Sequence, residues 1–491
     1  MLYATAAIPL TWDQGSAASI SSLSSFQEHF GISSTSGANS TRNFVSLVYI
    51  GDAAGAALSF FINDKVGRLW SYRIYTIIWI IGQIVAIFSP GSSGLYASRI
   101  ISGLGIGALS VTGTISIVEI APVEIRGLLS AWYSVCMGIA LMTSTFCVYG
   151  MELHIPKSRL QYQVVWFSPC MFMAIWIIAS FMLCESPRWL IMSGRDEEAL
   201  QTLVKLRQLS EDHPRVQEEL QDMKESIRSL EGIDDSQDQK SFQTTRIAKE
   251  TFTRPANLRR SHNVRTAPNF GRKNSVTNYF IPILKVTGLA GSSTHNLFLS
   301  GMYTVAKFGF SLLAIFLFID ALGRRNSLFI GITLQKASDI YLAVYIKVQQ
   351  DHGASEGASQ AGLAAIFIHA FGYSIGLLTL PYVFGGELWP NRIRSFGAAF
   401  SQTFHWLFHY AMTFALPSLL ARADNWGAFV FFAAWCAAGL LYVYLLVPEI
   451  AGLTTEQIDD IFSGPWVVSG RASGARATES ILEGQDIAYK S

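Results

Sequence analysis

Long uninterrupted apolar runs dominate the chain. They occupy residues near 44–62, 74–92, 95–118, 128–149, 163–184, 299–319, 328–346, 361–386, 397–420 and 425–447. At about 1.5 Å per residue, each is long enough to cross a hydrocarbon core of about 30 Å as a helix. Backbone N–H and C=O groups find no partner in lipid, so such runs fold as helices or as strands of a closed barrel. Barrel strands alternate apolar and polar positions over about 10 residues, and these runs do not alternate. Two further apolar segments are short: residues 1–12, which stop at Asp13, and residues 274–284, between Lys273 and Lys285. Each reaches only about 17 Å as a helix. The pattern predicts an all-α membrane protein of twelve helices, with the first and seventh truncated.

Residues 191–273 are a different material. Val216, Leu220, Met223, Ile227 and Leu230 follow helical spacing inside a charged stretch, which predicts an amphipathic helix outside the bilayer. From Lys240 to Lys273 arginines and lysines outnumber a single acid, Glu250, and such a juxtamembrane run belongs on the cytoplasmic side. This orientation puts both termini in the cytoplasm and the Asn39-Ser40-Thr41 sequon outside, in a multi-pass protein of the plasma membrane. The expected divisions are an N-terminal bundle over 1–190, a charged helical linker over 191–273, a C-terminal bundle over 274–447 and a cytoplasmic tail over 448–491.

Composition narrows the function classes. Half of the residues are hydrophobic and 14% are charged, against about 25% charged in soluble domains. A net charge of +1 supplies no basic field for nucleic acid. The five cysteines lie in or beside apolar segments without paired spacing, so neither a metal centre nor a disulfide framework is expected. No nucleophile elbow or phosphate loop is present, and Gly103, Gly105 and Gly107 read as close helix packing. No enzyme activity and no cofactor are expected; the expected partners are the lipid bilayer, a small solute and protons. The first twelve residues lack the charged start and small-residue cleavage site of a signal peptide.

The most specific feature is an internal repeat. Asp64-Lys-Val-Gly67-Arg68 returns as Asp320-Ala-Leu-Gly323-Arg324, and Glu119-Ile-Ala-Pro122 with Arg126 returns as Glu387-Leu-Trp-Pro390 with Arg394. Glu185-Ser-Pro-Arg188 has a weaker echo in Pro448-Glu449. Three motifs in one order, about 260 residues apart, mark two homologous bundles of six helices. Each motif falls at one end of a helix, where a planar guanidinium can bind a neighbouring helix's carboxylate in two-pronged fashion. Pairs of this kind on one side only would latch that side and break when it opens. The plainer alternative is that the arginines only satisfy the positive-inside bias.

With these elements the chain resembles the sugar porter family of the major facilitator superfamily, most closely its fungal members. The signatures are Asp64-x-x-Gly67-Arg68, Arg99-x-x-x-Gly103 leading to Glu119 and Arg126, Glu185-Ser-Pro-Arg188, Asp320-x-x-Gly323-Arg324, Glu387-x-x-Pro390 with Arg394, and Pro448-Glu449; they cover residues 11–462. The resemblance implies the major facilitator fold, alternating access, a central solute site and a cytoplasmic gate built from those acids and arginines. Thr11-Trp12-Asp13-Gln14-Gly15 looks like the family's first-helix Tyr-Asp-x-Gly segment, which makes Asp13 the candidate proton carrier and Arg99 its partner. A buried carboxylate is expensive unless paired or protonated, which suits it to coupling. The alternative is a purely structural ion pair.

The solute site departs from the family's sugar pattern. Ser134 stands roughly where a fifth-helix glutamine is usual. Asn274, Asn278, Tyr279 and Phe280 resemble the second half of the seventh-helix Gly-Ile-Asn-Ala-x-x-Tyr-Tyr stretch, but Pro268 and Asn269 replace the preceding Gln-Gln. Tyr382 takes a tryptophan position and His405-Trp406 matches an Asn-Trp pair. Lys307 lies close to an asparagine position of hexose porters. With His405 it would suit a carboxylate, as in quinate- or galacturonate-type members, unless it snorkels to the interface. Lys336 and Asp339, three apart, are expected to pair with each other.

Ser261–Lys273 is polar and basic where a membrane helix belongs, which points to a splicing or gene-model error there and to a truncated N-terminus. The expected function is proton-coupled symport of a monosaccharide or a sugar-acid or quinate-like solute. The rivals are a non-transporting nutrient sensor and an inactive product. Sensors of this fold carry long tails, and only 29 residues follow Phe462.

Overall fold

A computed structural model describes residues 2–32, 37–122, 126–231, 257, 259–260, 275–318, 322–353, 355–378, 389, 393–449 and 461–463. Every regular element among them is helical. The first runs as a 3-10 turn over Leu2–Ala6 and continues as α1 (Ala7–Ile20). Together these rise about 31 Å, a full hydrocarbon thickness. The expectation of a short first helix ended at Asp13 is corrected here. Asp13 is buried and ion-paired with Arg99, so the helix passes through it into Gly15, Ser16, Ala17, Ala18 and Ser19, small residues that let neighbours approach closely.

The remaining N-terminal helices are α2 (Ser24–His29), α3 (Gly37–Val66), α4 (Arg68–Phe88), α5 (Ser92–Ile120), α6 (Arg126–His154) and α7 (Leu160–Ser180). Three short helices follow: α8 (Pro187–Met192), α9 (Asp196–Arg207) and α10 (Pro214–Glu231). Leu190, Ile191, Ala199, Leu203, Val216, Leu220 and Ile227 bury against one another and give these three a small core of their own. In the second half come α11 (Ser275–Asn278), α12 (Phe280–Val286), α13 (Ser293–Leu313), α14 (Arg324–His352), α15 (Glu356–Tyr373), α16 (Arg394–Arg422) and α17 (Trp426–Leu446). Both α13 and α15 end in a π turn, Ala314–Phe318 and Ser374–Leu378. The suspect stretch 261–273 lies outside the described residues.

Eight of these helices are long and apolar enough to cross a membrane. Residues 2–20, 275–286, 324–352 and 394–422 carry more polar positions. They occupy the first, seventh, ninth and eleventh places in a two-bundle order. The interior is mostly apolar but also holds polar and charged side chains, while the outward faces of the spanning helices are apolar. Ile175, Ile178, Phe181 and Leu441 are largely exposed, whereas Asp13, Asp52, Arg99 and Lys307 are buried. That arrangement is what lipid, rather than water, selects. The bundles meet where α3 packs on α16 and α6 on α13, with α1 touching α11 and α12.

Candidate functional site

Three groups of side chains emerge at different depths. Nearest the Asp-x-x-Gly-Arg turns lies a charged latch. The Arg68 guanidinium donates from Nε and Nη2 to the two oxygens of Glu119, both at 2.9 Å, and from Nη1 to Asp64 at 2.9 Å. Ser186 adds a hydroxyl to Glu119 at 2.8 Å. Glu185 sits on the first turn of α4 and accepts the backbone N–H groups of Arg68 and Leu69 at 3.0 Å. An acid in that place meets both the unsatisfied N–H groups and the positive end of the helix dipole. Burial pushes the Glu185 carboxyl above its usual range, and the N–H groups of Ser186, Leu69 and Arg68 pull it back.

The second half repeats this cap. Glu449 accepts the N–H groups of Arg324 at 3.0 Å and Arg325 at 2.9 Å, on the first turn of α14. Gly67 and Gly323 hold φ of +96° and +82°, and a Cβ on either would lie 2.6 Å from the capping carboxylate. Both constraints exclude other residues, which explains the glycine in each motif. Asp320 and Glu387 fall outside the described residues, as do the side chains of Arg126 and Arg394. Arg188 is half-buried on α8 and lies within electrostatic reach of Glu119.

The second group is the buried ion pair. Arg99 donates to both oxygens of Asp13, at 2.7 Å for Nη2, and its Nε reaches the carbonyl of Phe44 at 2.9 Å. Both side chains are about 95% buried.

The third group surrounds a cavity between the bundles. Thr11 and Gln14 line it from α1, Met137, Gly138 and Leu141 from α6, Lys307 and Ser311 from α13, and His405 and His409 from α16. Its free volume is about 30 Å³, enough for one or two waters. A six-carbon solute would enter only with movement of the bundles. Lys307 donates from Nζ to Thr277 Oγ1 at 3.0 Å and stands 4.7 Å from the ring centre of Tyr373. It is 3% exposed, which excludes snorkelling.

Other candidates brace the cavity instead of lining it. Asn278 donates to the Tyr49 hydroxyl at 2.7 Å, and the Trp406 indole donates to Ser110 at 3.3 Å; both bonds join the two bundles. Tyr49 stacks on His409 at 4.1 Å. Tyr279 donates to the Thr413 carbonyl at 3.1 Å, and Ser134 is buried one turn from the α6 cavity wall. Asn274 and Tyr382 lie outside the described residues. Lys336 makes no ion pair with Asp339 among the described residues; Asp339 is instead 4.0 Å from the Cys436 thiol. The pairing expected from spacing fails because Asp339 points into the bundle and Lys336 stays half-buried at its edge. Thr277, Tyr373 and His409 had no motif to announce them, although His409 follows His405 by one helical turn; Gln14 lay in the first-helix motif only at its variable position.

A family model described as sugar (and other) transporter matches residues 1–462. The chain belongs to the sugar transporter family. A probable quinate permease of Aspergillus niger is 30% identical over 459 residues, covering 90% of this chain and 83% of that protein. The quinate permease of Emericella nidulans is 27% identical over 450 residues, with coverage of 90% and 83%. Among solved structures, the proton:xylose symporter XylE bound to 6-bromo-6-deoxy-D-glucose superposes with a TM-score of 0.77 at 20% identity, covering 94% of this chain and 98% of that one. The inward-open xylose transporter XylE from E. coli gives 0.70 at 18% identity, with coverage of 94% and 98%. The fold is therefore that of the major facilitator superfamily, and the protein is a multi-pass membrane transporter, not an enzyme.

Proposed function

We propose that the transporter carries a polyhydroxylated carboxylate of the quinate or sugar-acid type across the plasma membrane, in symport with a proton. The observation that carries this reading is Lys307, a buried lysine on the wall of the central cavity, with His405 and His409 of α16 in the same bundle lining that cavity too. A buried ammonium is stabilised by an anion far more than by a neutral sugar. Thr11, Gln14 and Ser311 supply the donors and acceptors that hydroxyl groups require. The names borne by the fungal relatives agree with a carboxylate solute. Asp13 and Arg99 would carry the proton, because their pair is intramembrane, buried and one helix turn from the cavity residue Gln14 or closer. The bundles would rock about this site, with the Arg68–Glu119 latch and its counterpart in the second half opening on the cytoplasmic side.

The test is uptake of labelled quinate, galacturonate, glucose and xylose in a yeast strain lacking its own sugar and acid transporters, at acidic and neutral pH. Acid uptake that falls on neutralisation is expected. Lys307→Met should raise the quinate KM about 10- to 100-fold, the value of one charge-assisted hydrogen bond of about 1.5–3 kcal/mol. Uptake of neutral sugar alone, unchanged in Lys307→Met, would overturn the carboxylate reading. No uptake of any of the four would favour the sensor or the inactive product.

A further inference from the structure

One buried acid has no place in the site described above. Asp52 lies in the middle of α3, is 1% exposed, and neither of its carboxylate oxygens has a hydrogen-bond partner. An ionised carboxylate without donors is strongly disfavoured in a membrane interior, so in this state Asp52 is neutral and holds a proton. Its neighbourhood makes that proton useful. The backbone of α3 lies directly on α5 here: a Cβ on Gly103 would stand 2.8 Å from the Asp52 nitrogen, and one on Gly107 would overlap the Asp52 carbonyl. Gly103 is one helical turn from Arg99 on the same face. Asp52 is thus within electrostatic reach of both Arg99 and Asp13.

We propose that Asp13 and Asp52 form one proton site, in which a single proton is held between two carboxylates and Arg99 pairs with whichever is ionised. The structure presents one arrangement, with Asp13 bound by Arg99 in two-pronged fashion and Asp52 without a donor, which in this proposal is the form whose proton sits on Asp52. In the other form the Asp52 proton has moved to Asp13, and Arg99 has turned one helical turn along α5 to bind Asp52. The charge of the trio is the same in both forms, which is what a low-dielectric interior requires. The groups facing Asp52 support this. From α1 comes Asp13, from α5 Arg99, and on α3 itself Tyr49, whose hydroxyl accepts from Asn278 and whose ring stacks on His409 of α16. Helix α4 carries no titratable residue after Tyr75. Arg99 is the cation placed to compensate a charge on Asp52. A shift of the guanidinium between α1 and α3 would also change the contact of α1 with the cavity, since Gln14 follows Asp13 directly.

This deepens the proposed proton coupling and rests on it, so the decisive readout needs no solute. Infrared spectra of the full chain in lipid vesicles, grown with carbon-13 aspartate, separate protonated from ionised aspartates. At about pH 7 a protonated component assigned to Asp52 should be present in the wild type and lost in Asp52→Asn. It should also be lost in Asp13→Asn, because Arg99 is then free to bind Asp52 and ionise it. Asp52→Glu should move the component to the unlabelled position, a check that stands if the asparagine variant does not fold. Survival of the full protonated signal in Asp52→Asn would overturn the proposal. A component lost in Asp52→Asn but kept in Asp13→Asn would also overturn it, showing a buried neutral acid that shares nothing with Asp13. Solute-driven proton uptake by wild-type vesicles, measured separately with quinate, tests the coupling itself. A spectrum without the Asp52 component in vesicles that do couple refutes the shared site alone.

Discussion

At the residue scale the strongest statement concerns Arg68. Its guanidinium satisfies Glu119 with two bonds and Asp64 with a third, and it is 2% exposed. Arg68→Ala leaves a buried acid without its cation, a loss of about 3–5 kcal/mol. A sharp fall in thermal stability of the purified protein is expected, together with lower surface expression. Arg68→Lys should recover only part, since a point charge cannot hold both oxygens of Glu119 and the carboxylate of Asp64. Thermal scanning in detergent, monitored by size-exclusion chromatography, checks both. The Glu185 cap adds a pH signature. Its folded-state pKa is raised by burial, so the folded state binds the proton more tightly than the unfolded one. Its contribution is largest below the ordinary glutamate pKa and is lost as pH rises through the raised value. Glu185→Gln should flatten that acidic-side change in melting temperature. Asp64 and Glu119 were visible in the sequence because their motifs recur with acid and arginine together, and Glu185 through the weaker echo of its acid in Glu449. The partner of Lys307 was not, because nothing in the spacing of α13 says that Thr277 of a neighbouring helix faces it.

At the element scale, apolar runs located the helices but misjudged the ends of those that carry buried charge. The run over 1–12 stops at Asp13, while the helix continues to Ile20 because Arg99 neutralises the acid. Hydropathy measures each segment against lipid alone, whereas α1 is solvated by α5 and α6. The same reason shortens α14 and α16 in the hydropathy pattern, where the runs 328–346 and 397–420 fall inside helices that extend over Arg324–His352 and Arg394–Arg422. Glycines show which elements must touch. Gly107 packs on the Asp52 backbone so closely that a Cβ would stand 1.8 Å from its carbonyl oxygen. Gly107→Val should force α5 away from α3, as overpacking by several heavy atoms costs about 1–3 kcal/mol or more. Reduced folded yield is expected, with the neighbouring Arg99–Asp13 pair weakened as a consequence. Gly309, where a Cβ meets nothing within 4 Å, is the matched control: Gly309→Val should leave yield unchanged. Equal losses at both positions would mean that the loss comes from the added side chain in general, not from close approach of α5 to α3.

At the scale of the whole molecule, the two bundles are joined on both sides of the cavity. On one side Phe26, Tyr162 and Trp166 of the first bundle belong to the same apolar core as Tyr279, Leu297 and Leu416 of the second. On the side of the charged turns, Phe60 of α3 meets Phe396 of α16 edge-on, with ring centres 5.2 Å apart. With about 30 Å³ free between them, the bundles enclose the site. Alternating access then requires one of these contacts to part while the other holds. Both contacts are made of side chains that interdigitate, so each is either packed or open with little in between. A reversible tether between positions 60 and 396 isolates one half of the cycle. Phe60→Cys with Phe396→Cys, in a background without the five native cysteines, can be bridged by a short bis-methanethiosulfonate. Bridging should abolish net quinate uptake by more than about tenfold and reduction should restore it, since a thiol tether is cleaved without disturbing the fold. The single-cysteine chains treated with the same reagent should keep their uptake. If the bridged double variant transports at the unbridged rate, α3 and α16 do not separate on that side, and the rocking of two rigid bundles about the Lys307 cavity is the wrong description of the cycle.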